Sequence, residues 1–186
     1  LGTLLEHILL QNLCAFYDVG EHNEMRLHGA DWNDALDMAW EKGESVAFTC
    51  AYAGNLRNIG KTLRQLEEIS GSSKIEIAHE IEDLLAGSVE LYEDAARKQA
   101  LLAGYAKKCE HNISGDTIVV RLDQLAANLE GKADWMMKNI RANEWVKDGK
   151  DGWFNGYYDN HGRKVEGVMD ESVRMMLTGQ VFAIMS

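Results

Sequence analysis

The 186-residue chain contains no proline, the residue most hostile to helix interiors. At the usual frequency of about 5%, roughly nine prolines would be expected. Their absence, together with apolar residues recurring at spacings of three and four, predicts a mostly helical chain. No apolar run approaches the ~20 residues that a transmembrane helix needs. We therefore expect no membrane-spanning segment.

Basic residues are also scarce. The chain has 19 Lys and Arg against 30 Asp and Glu, a formal net charge of −11. Electrostatic repulsion disfavours both nucleic acid and an anionic membrane surface as partners. An anionic substrate would need a local basic pocket, and the sequence alone reveals none.

Cysteines are few and widely spaced. Cys14, Cys50 and Cys109 are odd in number and contain no Cys-x-x-Cys pair, which indicates neither a disulfide framework nor a structural zinc site. A reducing, cytoplasmic location is predicted. His22 and His28 lie near carboxylates, but their spacing of six fits no common metal motif. We predict no metal and no cofactor.

The segment Arg26–Asp37 is the strongest candidate for chemistry. It holds Asp31, Asp34 and Asp37 at intervals of three, beside Trp32. If the segment is helical, these carboxylates share one face, and mutual repulsion and burial would raise their pKa values. A protonated carboxyl beside an indole suits sugar recognition and acid catalysis. The structural interpretation is an ordinary helix start, with Asp31 or Asn33 as its cap and Trp32 in the core.

Apolar periodicity places the helices. Stripes at helical spacing predict helices beginning near Leu5, Val46, Ile77 and Leu122. Acidic residues early and basic residues late predict one continuous helix from Val89 to Lys108. Within the last stripe, Gly131 either kinks the helix or admits a close neighbour.

A loop is predicted at Lys147–Gly152, followed by one short β-hairpin near residues 153–165. Aromatic residues including Tyr157 lead into the turn Asp159–Gly162, and Arg163–Val165 returns as the second strand. The structural interpretation is an aromatic plug on a helical core. The functional interpretation is an aromatic wall of a sugar subsite.

Two stretches resemble glycoside hydrolase family 94, the cellobiose phosphorylase group. Gly29–Asp34, read as Gly-Ala-Asp-Trp-Asn-Asp, is similar to the family's Gly-Asp-Trp-Asn-Asp segment. Residues 151–162, followed by 171–174 and 178–182, resemble the family's aromatic hairpin, acidic segment and Gln-containing helix. The opening residues 2–7 resemble the helix before the acid loop. Residues 61–147 are covered only by their position between the matches.

The resemblance implies a fold. In family 94 the catalytic domain is an (α/α)6 barrel with its active site in the loops at one end. Residues 1–186 would then be a partial catalytic domain, an all-α section of this barrel with no second domain. Because such a section cannot close the ring, its exposed apolar faces favour a homo-oligomer.

The resemblance also implies inverting phosphorolysis of a β-linked glucoside or oligoglucan to an α-sugar 1-phosphate. Asp34 matches the general acid that protonates the glycosidic oxygen. Inorganic phosphate is the nucleophile and co-substrate, so a second catalytic carboxylate is not required.

Other residues follow from the same match. Asp31 and Trp32 match positions of the glucosyl subsite, and Ala30 and Ala35 depart from the common pattern, which makes a β-1,2 linkage plausible. The family's phosphate-binding residues fall beyond Ser186, so we expect the isolated chain to be inactive. Two alternatives stay open: a related hydrolase that uses water, and a non-catalytic helical binding module. Further substrate-binding candidates are Arg26, Asn33, Tyr157, Glu171 and Gln180.

Overall fold

The computed structural model describes residues 2–29, 38–169 and 172–186. It has a mixed α/β composition, with 56% helix and 18% strand. The predicted all-α class, a section of an (α/α)6 barrel with one hairpin, is therefore wrong. Several small antiparallel sheets lie between the helices. None of the helices in the described ranges is long and apolar enough to cross a membrane.

Three predicted helices are confirmed. The first begins with a capping box, in which Thr3 and Glu6 each bond the other's backbone N–H, and it ends before Asp18. The second begins at the Ser45 cap and ends at Gly71 in the left-handed conformation. The helices are α1 (Leu4–Tyr17), α2 (Val46–Ser70), α3 (Val89–Tyr92), α4 (Ala95–Cys109), α5 (Leu122–Asn143) and α6 (Leu177–Met185), with a 3₁₀ helix at His79–Leu85.

The main core lies where α2 and α5 pack along each other, with α1 and the 3₁₀ helix beside them. Each long helix contributes one apolar stripe, as the periodicity predicted. Representative fully buried members are Leu13, Leu56, Ile81, Leu129 and Ile140.

The strands within the described ranges are short and form four antiparallel sheets. One has the order β1–β2–β7 and brings together three distant parts of the chain. The others are the pairs β3–β4, β5–β6 and β8–β9. Their bounds are β1 (Met25–Arg26), β2 (Glu44–Ser45), β3 (Lys74–Ala78), β4 (Thr117–Arg121), β5 (Trp145–Asp148), β6 (Asp151–Phe154), β7 (Tyr157–Tyr158), β8 (Gly167–Met169) and β9 (Ser172–Arg174).

Two helix predictions are only partly right. The helix predicted to begin near Ile77 begins at His79 and is a 3₁₀ helix. Ile77 itself lies in strand β3, where Ile75 and Ile77 point to the face that packs on the core while Glu76 points outward. The predicted continuous helix from Val89 to Lys108 is broken at Asp94. The Asp94 carboxylate instead caps α4 by accepting the backbone N–H of Arg97 at 3.0 Å.

The predicted loop at Lys147–Gly152 and the predicted hairpin are also corrected. The regular hairpin is β5–β6, which turns at Gly149 with a φ of 58°. Tyr157 and Tyr158 pair with β2 instead, and the expected return is only a bridge between Tyr158 and Lys164. In α5, a Cβ at Gly131 would meet no atom of the described residues within 4 Å. The close neighbour that was one of the two predicted reasons for this glycine is therefore not observed.

Two lysines lie inside the core. Lys132 is fully buried, and its Nζ donates to the Ala86 carbonyl, the Asn128 side chain and the Tyr92 hydroxyl at 2.8–3.2 Å. The Nζ of Lys98 donates to Asn23 and lies 4.1 Å from the ring centroid of Phe16. Burial lowers the pKa of each lysine to about 7. Both amines therefore titrate near neutral pH.

The lysines predict a pH dependence of stability. In the unfolded chain each amine regains a pKa of about 10.4, so between pH 7 and 8.5 the unfolded state holds protons that the native state lacks. The free energy of unfolding should therefore rise with pH over this window. Lys132→Met should reduce the slope by up to about 1.4 kcal/mol per pH unit, measured by denaturant unfolding at several pH values. The exposed Lys138→Met on the same helix is the control. Equal slopes for wild type and Lys132→Met would contradict the prediction.

Candidate functional site

Five of the predicted site residues lie outside the described residues: Asp31, Trp32, Asn33, Asp34 and Glu171. The two ends of the segment that carries the first four are described. Arg26 ends strand β1, and Met38 follows the segment. The site is therefore built from the residues around these two ends.

The β1–β2–β7 sheet joins the two parts of the chain that carry the predicted site. Glu44 in β2 stands opposite Arg26 on one side and opposite Tyr158 on the other. The sheet thus places the start of the acid segment two strands from the aromatic segment at 157–158. These stretches are more than 130 positions apart in sequence, and the resemblance had linked them only by order.

A cavity of about 510 Å³ opens beside this sheet, and it is predominantly polar. Arg26 lines it, as does Lys42 just beyond the other end of the acid segment. Asn160 connects the residues on this side of the cavity. Its backbone N–H donates to the Met38 carbonyl, and its Oδ1 accepts the backbone N–H groups of Glu41 and Lys42 at 2.8 and 2.9 Å. The full lining is Gly20, Glu21, His22, Arg26, Lys42, Glu44, Gln99, Asn160, His161 and Gly162.

A second, more open cavity of about 730 Å³ shares Glu21, His22 and Gln99 with the first. Trp135 and Asn139 of α5 also line it. The two cavities therefore adjoin at these three side chains, and together they are called the groove. Trp135 was not among the predicted site residues, because no sequence motif surrounds it.

Three buried carboxyl groups lie behind the groove. Glu24, Glu44 and Glu144 are almost completely excluded from solvent. Burial, followed by the nearby Glu144 and Glu44 charges, raises the pKa of Glu24 well above its usual value. Glu144 accepts the Tyr158 hydroxyl at 2.8 Å. No sequence motif marks these residues, since they come from three separate places in the chain: the residue before β1, strand β2 and the C-terminal cap of α5.

Tyr157 is fully buried and packs with Leu27 and Ala39, which flank the acid segment. Its hydroxyl has no hydrogen-bond partner among the described residues. Burial, then the Glu166 charge, raises the pKa of Tyr157. Burying a hydroxyl group without a hydrogen-bond partner costs free energy. The contacts of the ring therefore explain an aromatic residue at position 157, but they do not explain its hydroxyl group.

Gln180 has a structural explanation. Its side-chain amide accepts the Phe154 N–H at 2.9 Å and donates to the Phe154 carbonyl at 2.7 Å. Both polar atoms are thereby used to fasten α6 to strand β6. The structure places Gln180 away from the residues that line the cavity, in contrast to Arg26.

Comparison with known proteins adds no relative. No protein-family model matches the chain, and no curated protein matches it at a significant level. The resemblance to family 94 therefore rests on the motifs themselves.

Gly20 is required beside the buried Glu44. A Cβ at Gly20 would lie 2.2 Å from the Glu44 Cδ, so Gly20→Ala should lower the free energy of unfolding by about 1–3 kcal/mol. Gly104 in α4 has no atom within 4 Å of such a Cβ, so Gly104→Ala should raise it by about 0.5–1 kcal/mol. Chemical denaturation of both variants measures the difference. A Gly20→Ala chain as stable as wild type would refute this account of the Glu44 position.

Tyr157→Phe tests whether the Tyr157 hydroxyl group contributes to the stability of the fold. Because the hydroxyl lacks a partner, its removal should leave the free energy of unfolding unchanged or raise it by about 1 kcal/mol. Tyr158→Phe is the matched control and should be destabilising by about 1–3 kcal/mol, since it removes the hydroxyl donor to Oε1 of the buried Glu144 and leaves only the donors to Oε2. A loss of stability in Tyr157→Phe equal to that of Tyr158→Phe would contradict the prediction.

Proposed function

We propose that this chain carries the acid-catalytic part of a glycoside phosphorylase, which transfers a glucosyl group from a β-linked glucoside or oligoglucan to inorganic phosphate with inversion. Asp34 is the general acid, and Asp31 and Trp32 bind the glucosyl unit. The proposal rests on the segment Gly29–Asp34, the most specific motif in the sequence.

The chemistry needs one protonated carboxyl. Cleavage of the glycosidic bond leaves an alkoxide, and a proton from Asp34 neutralises it as the bond breaks. Phosphate is already an anion and attacks the anomeric carbon from the opposite face without a general base. A hydrolase would need a second carboxylate to deprotonate water.

The groove supports a saccharide ligand. It adjoins both ends of the acid segment, and its lining mixes donors and acceptors, with Arg26, Asn160 and Glu21 among them. Each sugar hydroxyl is both a donor and an acceptor, so a mixed lining suits it.

A cytoplasmic location belongs to the same proposal. Cys14, Cys50 and Cys109 are all free thiols. Burial raises the pKa of the Cys50 thiol to about 12, which keeps it protonated and unreactive. Three unpaired thiols suit a reducing compartment.

Asp34→Asn in the complete protein tests the acid. Release of sugar 1-phosphate from a β-glucoside should fall by about two to four orders of magnitude, measured with phosphate present. Asp37→Asn, an identical change three residues away, should retain activity within about tenfold. Turnover in Asp34→Asn equal to that of Asp37→Asn would exclude Asp34 as the acid.

The same assay without phosphate distinguishes the reaction type. A phosphorylase releases no product when phosphate is withheld, whereas a hydrolase continues to release free glucose. Parallel measurements on β-1,2, β-1,3 and β-1,4 glucosides identify the linkage. Equal turnover with and without phosphate would reject phosphorolysis.

A further inference from the structure

A smaller cavity lies apart from the groove, between α1, α4 and one end of the β3–β4 sheet. Its volume is about 350 Å³, at the small end of the range for ligand pockets. Strand pairing sets one side of it. Ala78 ends β3 opposite Thr117, and the His79 N–H then donates to the Asp116 carbonyl at 3.0 Å. The cavity shares no lining residue with the groove, so it is a separate site.

One carboxylate in the lining of this cavity lacks a partner on one oxygen. Glu80 is 5% exposed, and its Oε1 accepts the Ser114 N–H at 2.6 Å. Its Oε2 has no hydrogen-bond partner among the described residues. The bond from Ser114 lowers the pKa of Glu80, so the group is ionised at neutral pH. A buried anionic oxygen without a donor costs free energy, and a ligand that supplies the donor would remove that cost.

The basic side chains that interact electrostatically with Glu80 face other carboxylates. Lys108 donates to Asp83 at 3.0 Å. His79 lies 3.5 Å from Glu82. No Lys, Arg or His is among the described residues that line the cavity. The negative charge of Glu80 is therefore available to a cationic ligand.

Two further carboxylates and several apolar side chains complete the lining. Asp116 is exposed, and its carboxylate forms no hydrogen bond or ion pair within the described part of the chain. Both oxygens of Glu6 already accept backbone N–H groups. The apolar surface comes mainly from Leu10, Ile81 and the Tyr105 ring. The cavity thus combines negative charge with apolar surface.

We propose that this cavity binds a small organic ammonium ion, a primary amine on a short aliphatic chain, whose N–H groups donate to Oε2 of Glu80 and to the Asp116 carboxylate. Hydrogen bonds between two charged groups are among the strong ones, and the aliphatic chain would bury apolar surface. A metal ion fits less well, because no three ligating side chains of the described residues converge on one point. The site is independent of the proposed function and goes beyond it.

Direct binding tests the proposal with three ligands that share one aliphatic chain. The isotope-labelled 186-residue chain is titrated at pH 7 with hexylammonium, hexan-1-ol and hexanoate, and NMR signals of the Ser114 amide and the Ile81 methyl groups are followed. Hexylammonium should give saturable shifts. Hexan-1-ol should bind about tenfold more weakly or less, because it lacks the charge. Hexanoate should give no shift at the same concentrations, because its carboxylate is repelled.

Glu80→Gln is the decisive variant. The glutamine Oε1 can still accept the Ser114 N–H, but its Nε2 places a donor where Oε2 lies and removes the charge. The dissociation constant for hexylammonium should rise about tenfold or more, with a melting temperature that is unchanged or higher. Glu76→Gln, an identical loss of charge at an exposed position of β3 outside the cavity, is the matched control and should bind as wild type does.

Asp116→Asn gives a second measurement at an exposed position and should weaken hexylammonium binding about two- to fivefold. Four results would overturn the inference: no saturable shift with hexylammonium, equally tight binding of hexan-1-ol or hexanoate, wild-type affinity in both Glu80→Gln and Asp116→Asn, or a loss of affinity in Glu76→Gln equal to that in Glu80→Gln. None of these results bears on the phosphorylase assay, because no residue of this cavity takes part in the proposed reaction.

Discussion

The buried carboxylate of Glu44 organises this region of the molecule. It lies in the middle strand of the β1–β2–β7 sheet and accepts N–H groups from the backbone and ring of the 22–24 segment. A carboxylate in this position would be costly without such partners. Each neighbouring part of the chain meets one need of this carboxylate. Gly20 leaves space for the Glu44 side chain, His22 supplies a ring donor to it, and the sheet fixes its position. The polar cavity beside Arg26 follows from this arrangement.

The same cost explains why charged groups cluster behind the groove instead of scattering through the core. Glu24 and Glu144 share the region with Glu44, and Lys98 supplies an opposite charge to Glu24. Single buried charges are strongly disfavoured, whereas groups that bond or neutralise one another are tolerated. Lys132 follows the same rule without a carboxylate, because its ammonium group has three oxygen acceptors.

Sequence predicts the long elements of this fold and misses the short ones for a physical reason. Helices α1, α2 and α5 carry apolar stripes over three or more turns, which only a helical period fits. Strand β3 has only five residues. Ile77 also lies at a helical spacing from Ile81 in the 3₁₀ helix that follows, so the apolar pattern fits a helix equally well. A signal was available in β4, whose β-branched Ile118–Val120 run favours a strand. The overall class was wrong because these short strands were read as helix or loop.

The site was predictable only where residues adjacent in sequence act together. Arg26 was selected for its place before the acid segment, and it does line the cavity. The pairing of His22 with Glu44 spans 22 positions and depends on a sheet that no local pattern reveals. Net charge is likewise a property of the whole chain and does not describe one cavity. A chain of −11 repels anions at long range, but charges beyond about 8 Å are largely screened at physiological salt. The groups within that distance decide what a cavity binds, and here they include Arg26 and Lys42 together with Glu21 and Glu44.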